Sequence, residues 1–142
     1  MLFAMDWIVT LTPEATDNPM AALARPPEGA SLVELRLDLF PQIDVGRAIA
    51  ASPLPVLATL RSAAEGGRGP DDPAEREPLL RAARDSGAVL LDLEFRRDRD
   101  AIRRLGLTPE QVILSWHDSE GTPSDLQLVT RAMLDLPARW IK

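Results

Sequence analysis

Four strand-like runs place polar or charged residues at every second position, with apolar residues between them. Glu34, Arg36 and Asp38 alternate with Leu35, Leu37 and Leu39, and Thr59 and Arg61 with Ala58 and Leu60. Asp92 and Glu94 alternate with Leu91, Leu93 and Phe95, and Ser115 and His117 with Leu114 and Trp116. Successive side chains of a strand point to opposite faces, so each run has one apolar face and one polar face. A lumen shared by Glu34, Arg36, Asp38, Arg61, Asp92, Glu94, His117 and Lys142 is either a salt-bridge network or a reactive site, because an unpaired buried charge costs several kcal/mol. The network option pairs Arg36 with Glu34 or Asp92. The reactive option is imine chemistry: a lysine amine shielded from water is a nucleophile, an imidazole carries protons, and a carboxylate orients the imidazole. Glu65, four residues beyond Arg61, is the candidate carboxylate. The glycines of Glu65-Gly66-Gly67 read either as a flexible turn or as a loop able to fold closely over a ligand with the acid inward. No P-loop Lys-Ser/Thr follows, which disfavours a phosphate cradle.

The elements that must position these residues recur at a regular interval. Strand-like runs occupy Trp7–Leu11, Leu32–Phe40, Val56–Leu60, Ala88–Phe95, Gln111–His117 and Trp140–Lys142, with starts 25, 24, 32, 23 and 29 residues apart. That spacing suits βα units and is too long for hairpins. Between the runs, Asp17–Arg25 and Asp44–Ala51 read as helices. Asp72-Pro73-Ala74-Glu75 is a third helix start, with Pro78 delaying it, and the helix stops at Gly87. Thr122-Pro123-Ser124-Asp125 reads as an N-cap, a Pro at N1 and an acid at N3, followed by Leu126, Val129 and Met133 on one face. Ala63–Asp71 and Arg96–Arg99 read as loops. Alternation toward the C-terminal ends of the strands fits a (β/α)8 barrel, whose outside is covered by helices and whose mouth carries the site. A Rossmann-type sheet is disfavoured, since Thr10-Leu11-Thr12-Pro13 is no glycine fingerprint.

Composition narrows the function classes. The 142 residues carry a formal charge of −6, with 45% hydrophobic and 27% charged residues, a globular rather than disordered balance. No cysteine is present, which removes disulfides, thiolate metal sites and a Cys nucleophile. With one histidine, His117, a His-rich metal cage is disfavoured. The acidic balance argues against nucleic acid as a partner, and no run is long enough to span a membrane. Met1–Met5 is too short for a signal segment, so a reducing cytoplasm is the expected compartment.

Five ordered motifs resemble type I 3-dehydroquinate dehydratase, the Schiff-base enzyme of the shikimate pathway. They are Glu34-Leu35-Arg36-Leu37-Asp38, then Thr59-Leu60-Arg61 with Glu65-Gly66-Gly67, then Asp92-Leu93-Glu94. Ser115-Trp116-His117-Asp118 with Thr122-Pro123 and finally Ile141-Lys142 complete the set. The resemblance implies that Lys142 forms an imine with the C3 ketone of 3-dehydroquinate and that His117 moves protons. It implies Glu65 as the acid supporting this histidine, and Glu34, Arg36 and Arg61 as groups that bind substrate hydroxyls and organise the pocket. Thr10 matches a small hydroxyl residue lining the site. No metal or organic cofactor is implied, the partner is a small-molecule substrate, and a homodimer is a candidate assembly for a longer parent. Ser119 departs from the family, which often carries an aromatic after His-Asp.

Residues 1–142 are expected to be a single partial (β/α)8 barrel domain, with about five βα units and the start of strand six. Such a barrel takes about 250 residues. The resemblance assigns to strands seven and eight an arginine for the substrate carboxylate, together with a Ser and a Gln. The chain is therefore read as an N-terminal part, inactive by itself. The alternatives are another class I Schiff-base barrel lyase or aldolase, and a non-catalytic remnant or fused interaction domain.

Overall fold

The computed structural model describes residues 7–142, so the Met1–Met5 stretch lies outside the described residues. Six strands, β1 (Ile8–Leu11), β2 (Leu32–Arg36), β3 (Val56–Thr59), β4 (Leu90–Glu94), β5 (Val112–Ser115) and β6 (Trp140–Ile141), form one parallel sheet in chain order. The crossovers carry α1 (Pro19–Ala24), α2 (Val45–Ala51), α3 (Pro73–Asp85), α4 (Phe95–Asp98), α5 (Ala101–Arg104) and α6 (Leu126–Leu134). Each crossover advances the sheet by one strand, which is the winding of a barrel and not of a sheet that reverses at a switch point. Among the described residues β1 and β6 are the two edges, and the sheet does not close on itself.

Register confirms the division into two faces. Leu11, Leu35, Ala58, Leu91 and Val112 pair across five successive strands, and all five are buried. This apolar row packs with Leu23, Ala48, Ile49, Leu80, Ala83, Ile102 and Met133 from the helices into the main core. The other face carries the row Arg36, Thr59, Asp92 and Ile113. Near the strands' N-terminal ends this concave face is apolar, where Leu57, Leu90 and Ile113 form a second cluster with Leu32. Leu35 thus faces away from the polar row, as the alternation requires.

The strands end sooner than the apolar runs do. After Arg36 the chain turns, with Leu39 and Phe40 both donating to the Arg36 carbonyl at 3.2 Å, so Asp38 and Leu39 are not strand positions. Phe95 opens α4, replacing the loop expected over Arg96–Arg99, and the Asp98 carboxylate accepts the Glu94 N–H at 2.9 Å. Arg61, His117 and Lys142 each lie just past their strand's last residue.

Helix starts also shift. Asn18 caps α1 by accepting from the Ala21 N–H at 3.0 Å, and Asp44 caps α2 by accepting from Arg47 N–H at 3.0 Å. Pro78 does not delay α3, which begins at Pro73 under the Asp72 cap and runs through Pro78. Thr122 does not cap α6. Leu126 instead donates to the Pro123 carbonyl at 3.3 Å, so Thr122–Asp125 is a turn and the helix begins four residues after Thr122.

Candidate active site

The concave face carries its polar groups in two connected sets. In the first, Glu34 is a buried acceptor between two hydroxyls: Thr10 Oγ1 donates to Oε2 at 2.5 Å and Thr59 Oγ1 to Oε1 at 2.6 Å. Arg36 turns from Glu34 to Asp38, donating through Nε and Nη2 at 2.8 and 2.7 Å. This corrects the pairing of Arg36 with Glu34 or Asp92, because the turn after β2 brings Asp38 back beside its own strand. Burial opposes ionisation of Asp38. Arg36, with the backbone N–H groups of Arg68 and Arg61, nevertheless holds its carboxyl below the usual range.

Arg61 organises the second set. Its Nη1 donates to Ser115 Oγ at 2.9 Å and Glu94 Oε1 at 3.2 Å, and its Nη2 to Asp92 Oδ1 at 3.0 Å. Ser115 also donates to Asp92 Oδ1. Lys142 reaches Asp92 from β6, with Nζ 2.9 Å from Oδ2. Desolvation works against the Asp92 anion, and Arg61, Lys142 and the Ser115 hydroxyl outweigh it, so the carboxyl stays below its ordinary value. The Lys142 side chain is 47% exposed and paired with this acid, which differs from the water-shielded amine expected from sequence.

Glu65 ends a short 3₁₀ turn, Ala63–Glu65, and its carboxylate meets His117 twice. Oε2 accepts from the His117 backbone N–H at 2.9 Å and lies 3.3 Å from Nδ1. An ionised carboxylate has no proton to give, so the Nδ1 contact requires the imidazole proton on Nδ1 and leaves Nε2 as the basic nitrogen. Burial and then the nearby Glu94 push the Glu65 carboxyl up, against the pull of the His117 hydrogen bonds and Arg61. The glycines after Glu65 serve the turn. Gly66 takes φ +85°, and a Cβ on Gly67 would lie 2.3 Å from the Arg61 carbonyl oxygen. Gly66 thus supplies the left-handed residue of the turn, and Gly67 lets the loop pack closely on the Arg61 backbone.

Glu65, Arg97, Trp116 and His117 border a polar cleft of about 290 Å³ that opens at this end of the sheet. Among the described residues no group of three or more His, Asp or Glu side chains is arranged to hold a metal ion. Among the described residues no helix is long and apolar enough to cross a membrane.

The structure thus assembles Thr10 with Glu34 and Glu65 with His117. It centres Arg61 among carboxylates, and sets Arg36 and Lys142 at the rim on Asp38 and Asp92. Three contributors lie outside the candidate site residues that the sequence yields. Strand parity puts Ser115 on the polar face but assigns it no role. Arg97, which lies 3.2 Å from Glu65 Oε1, was hidden in a segment read as a loop. Arg76 left a signal, because it shares its helix face with the buried Leu80 and Ala83, at i, i+4 and i+7.

The model of a family described as type I 3-dehydroquinase matches residues 8–142. A 3-dehydroquinate dehydratase of Dehalococcoides mccartyi is 36% identical over 127 residues, covering 87% of this chain and 56% of that protein. The chloroplastic bifunctional 3-dehydroquinate dehydratase/shikimate dehydrogenase of Arabidopsis thaliana is 40% identical over 103 residues, covering 68% of this chain and 17% of the relative. The chain spans about half the length of the single-function dehydratases it matches. Among solved structures, the type I 3-dehydroquinate dehydratase of Clostridium difficile superposes with a TM-score of 0.73 at 21% identity, over 96% of this chain and 60% of that one. That likeness supports the barrel-type fold.

Proposed function

The chain belongs to the type I 3-dehydroquinase family, and we propose that its concave site serves the dehydration of 3-dehydroquinate to 3-dehydroshikimate through an imine on Lys142. The observation that carries the reading is the Glu65–His117 contact, which leaves a basic Nε2 at the same end of the sheet as the Lys142 amine.

The chemistry proceeds from these groups. The Lys142 amine adds to the C3 ketone, and loss of water gives a protonated imine, with His117 carrying protons for that step. The imine withdraws electrons, so the carbanion-like charge that develops at C2 is stabilised where it forms. His117 takes the C2 proton and returns it to the C1 hydroxyl, which departs as water. Hydrolysis of the imine then releases the enone product and frees the lysine. Glu65 holds the imidazole in the required tautomer. Glu34, Arg36 and Arg61 organise the hydroxyl-binding side, with Thr10 at its edge. On this scheme the chain acts in the shikimate route to aromatic amino acids, as a cytoplasmic enzyme part that needs no metal or organic cofactor.

Lys142 is the one lysine in the sequence, which makes trapping decisive. Chain incubated with millimolar 3-dehydroquinate and sodium borohydride should gain a reduced adduct on Lys142, located by peptide mass spectrometry. Lys142→Met should abolish it, and His117→Ala should slow its appearance by about 10²-fold or more. An adduct confined to the N-terminal amine, with Lys142 unmodified, would remove Lys142 from the mechanism.

A further inference from the structure

Glu65 and Glu94 stand side by side with their carboxylates almost fully buried, and two arginines divide the four oxygens between them. Arg61 Nη1 lies 3.6 Å from Glu65 Oε2 and 3.2 Å from Glu94 Oε1. Arg97 Nη1 lies 3.2 Å from Glu65 Oε1 and 3.4 Å from Glu94 Oε2. Each carboxylate therefore gives one oxygen to each guanidinium. Arg61 is also committed to Asp92 and Ser115, whereas the further contact of Arg97 is a looser one, 3.7 Å from Asp71 at the surface.

The remaining charges around the pair do not replace Arg97. Arg76, from α3, approaches Glu94 Oε2 at 3.7 Å but is bonded to Asp98. His117 uses the oxygen of Glu65 that Arg97 leaves to it. Arg96 lies over the Trp116 ring, 5.0 Å from its centroid. Asp118 and Glu120, which line the outer cleft, add only negative charge. Two neighbouring carboxylates resist ionising together unless cations compensate them.

We propose that Arg97 is a positioning residue of this site: by bridging Glu65 and Glu94 it keeps Glu65 ionised, and so keeps the His117 proton on Nδ1. The proposal rests on His117 as the proton carrier of the reading above and deepens it. Without the Arg97 cation, Glu65 keeps Arg61 as its guanidinium contact while Arg76 reaches only Glu94 of the two carboxylates, and Glu65 retains its proton to higher pH. A protonated Glu65 no longer requires a proton on Nδ1, and the basic nitrogen is no longer fixed as Nε2.

The test needs no substrate. Because the chain has a single histidine, both ring nitrogens and their proton can be followed by ¹⁵N NMR without ambiguity. The His117 backbone amide, bonded to Glu65 Oε2, reports the ionisation of that carboxyl. In Arg97→Gln, and in the bulkier charge-free Arg97→Met, the Glu65-linked inflection of this amide should move up by about one pH unit. The Nδ1–H tautomer should be lost below it. Arg97→Lys should restore most of the original position. An unmoved inflection in the charge-free variants would overturn the proposal, and so would an equal displacement in Arg97→Lys, which would assign the effect to packing. Borohydride trapping reports separately on the dehydratase reading.

Discussion

The Arg76 guanidinium meets the Asp98 carboxylate through two hydrogen bonds, Nε to Oδ1 at 2.8 Å and Nη2 to Oδ2 at 2.7 Å, with both side chains buried. The pair ties together segments that the site depends on. Arg76 also donates to the carbonyls of Leu60 at 2.7 Å and Pro70 at 2.9 Å, and Asp98 accepts the Glu94 N–H. The backbone on the N-terminal side of Arg61 and the backbone of Glu94 are thereby fixed by one ion pair behind the sheet.

Removing one partner of such a pair leaves an uncompensated buried charge, which costs about 3–5 kcal/mol. Arg76→Ala should lower stability by that amount in urea unfolding. Replacing both partners, Arg76→Met with Asp98→Leu, should cost much less than the sum of the single changes. A single change worth under about 1 kcal/mol would show that the pair does not hold these segments.

The face of each strand residue was legible in the sequence because it depends only on a period of two, which Glu34/Arg36, Thr59/Arg61 and Asp92/Glu94 all obey. Strand ends were not, because Leu37, Leu39 and Phe95 continue the apolar pattern into a turn and a helix. The contacts of Asp38 and Arg97 depend on how those turns fold back, which no spacing encodes. Parity puts Lys142 on the polar face, but spacing does not encode its neighbour, since the Asp92 anion comes from β4, two strands away.

The displaced carboxyls give stability a pH dependence of two signs. Asp38 and Asp92 are held below 3.8 in the folded chain, so between the folded and unfolded values the unfolded state binds more protons. Their contribution is complete above about 3.8 and is lost as pH falls through the folded values. Glu65 is raised above 4.5, so its contribution is complete below 4.5 and is lost as pH rises through its folded value. The stability difference between wild type and Asp92→Asn should therefore shrink on acidification below pH 4. The difference between wild type and Glu65→Gln should shift in favour of wild type as pH falls from 7 to 4.5. Urea midpoints measured at half-unit pH steps give both curves, and parallel curves would refute the assigned directions.

Two adjacent glycines should respond differently to the same substitution. Gly66 has open space where a methyl would stand but a positive φ of 85°, so Gly66→Ala should cost about 1–2 kcal/mol of backbone strain. At Gly67 the obstacle is the chain itself, since a Cβ would meet the Arg61 carbonyl oxygen at 2.3 Å and the Arg61 Cβ at 2.5 Å. Neither can step aside, because the same carbonyl accepts the Gly69 N–H at 2.8 Å and Gly67 N–H is bonded to the Ser62 carbonyl at 2.8 Å. Gly67→Ala should therefore cost about 3 kcal/mol or more, at the upper end of overpacking penalties. It should also displace the Glu65 turn, so that the His117 amide loses its carboxylate acceptor and its NMR signal moves. Should Gly67→Ala prove as mild as Gly66→Ala, with the His117 amide unmoved, the close packing of this loop on Arg61 would not be what sets Glu65 against His117.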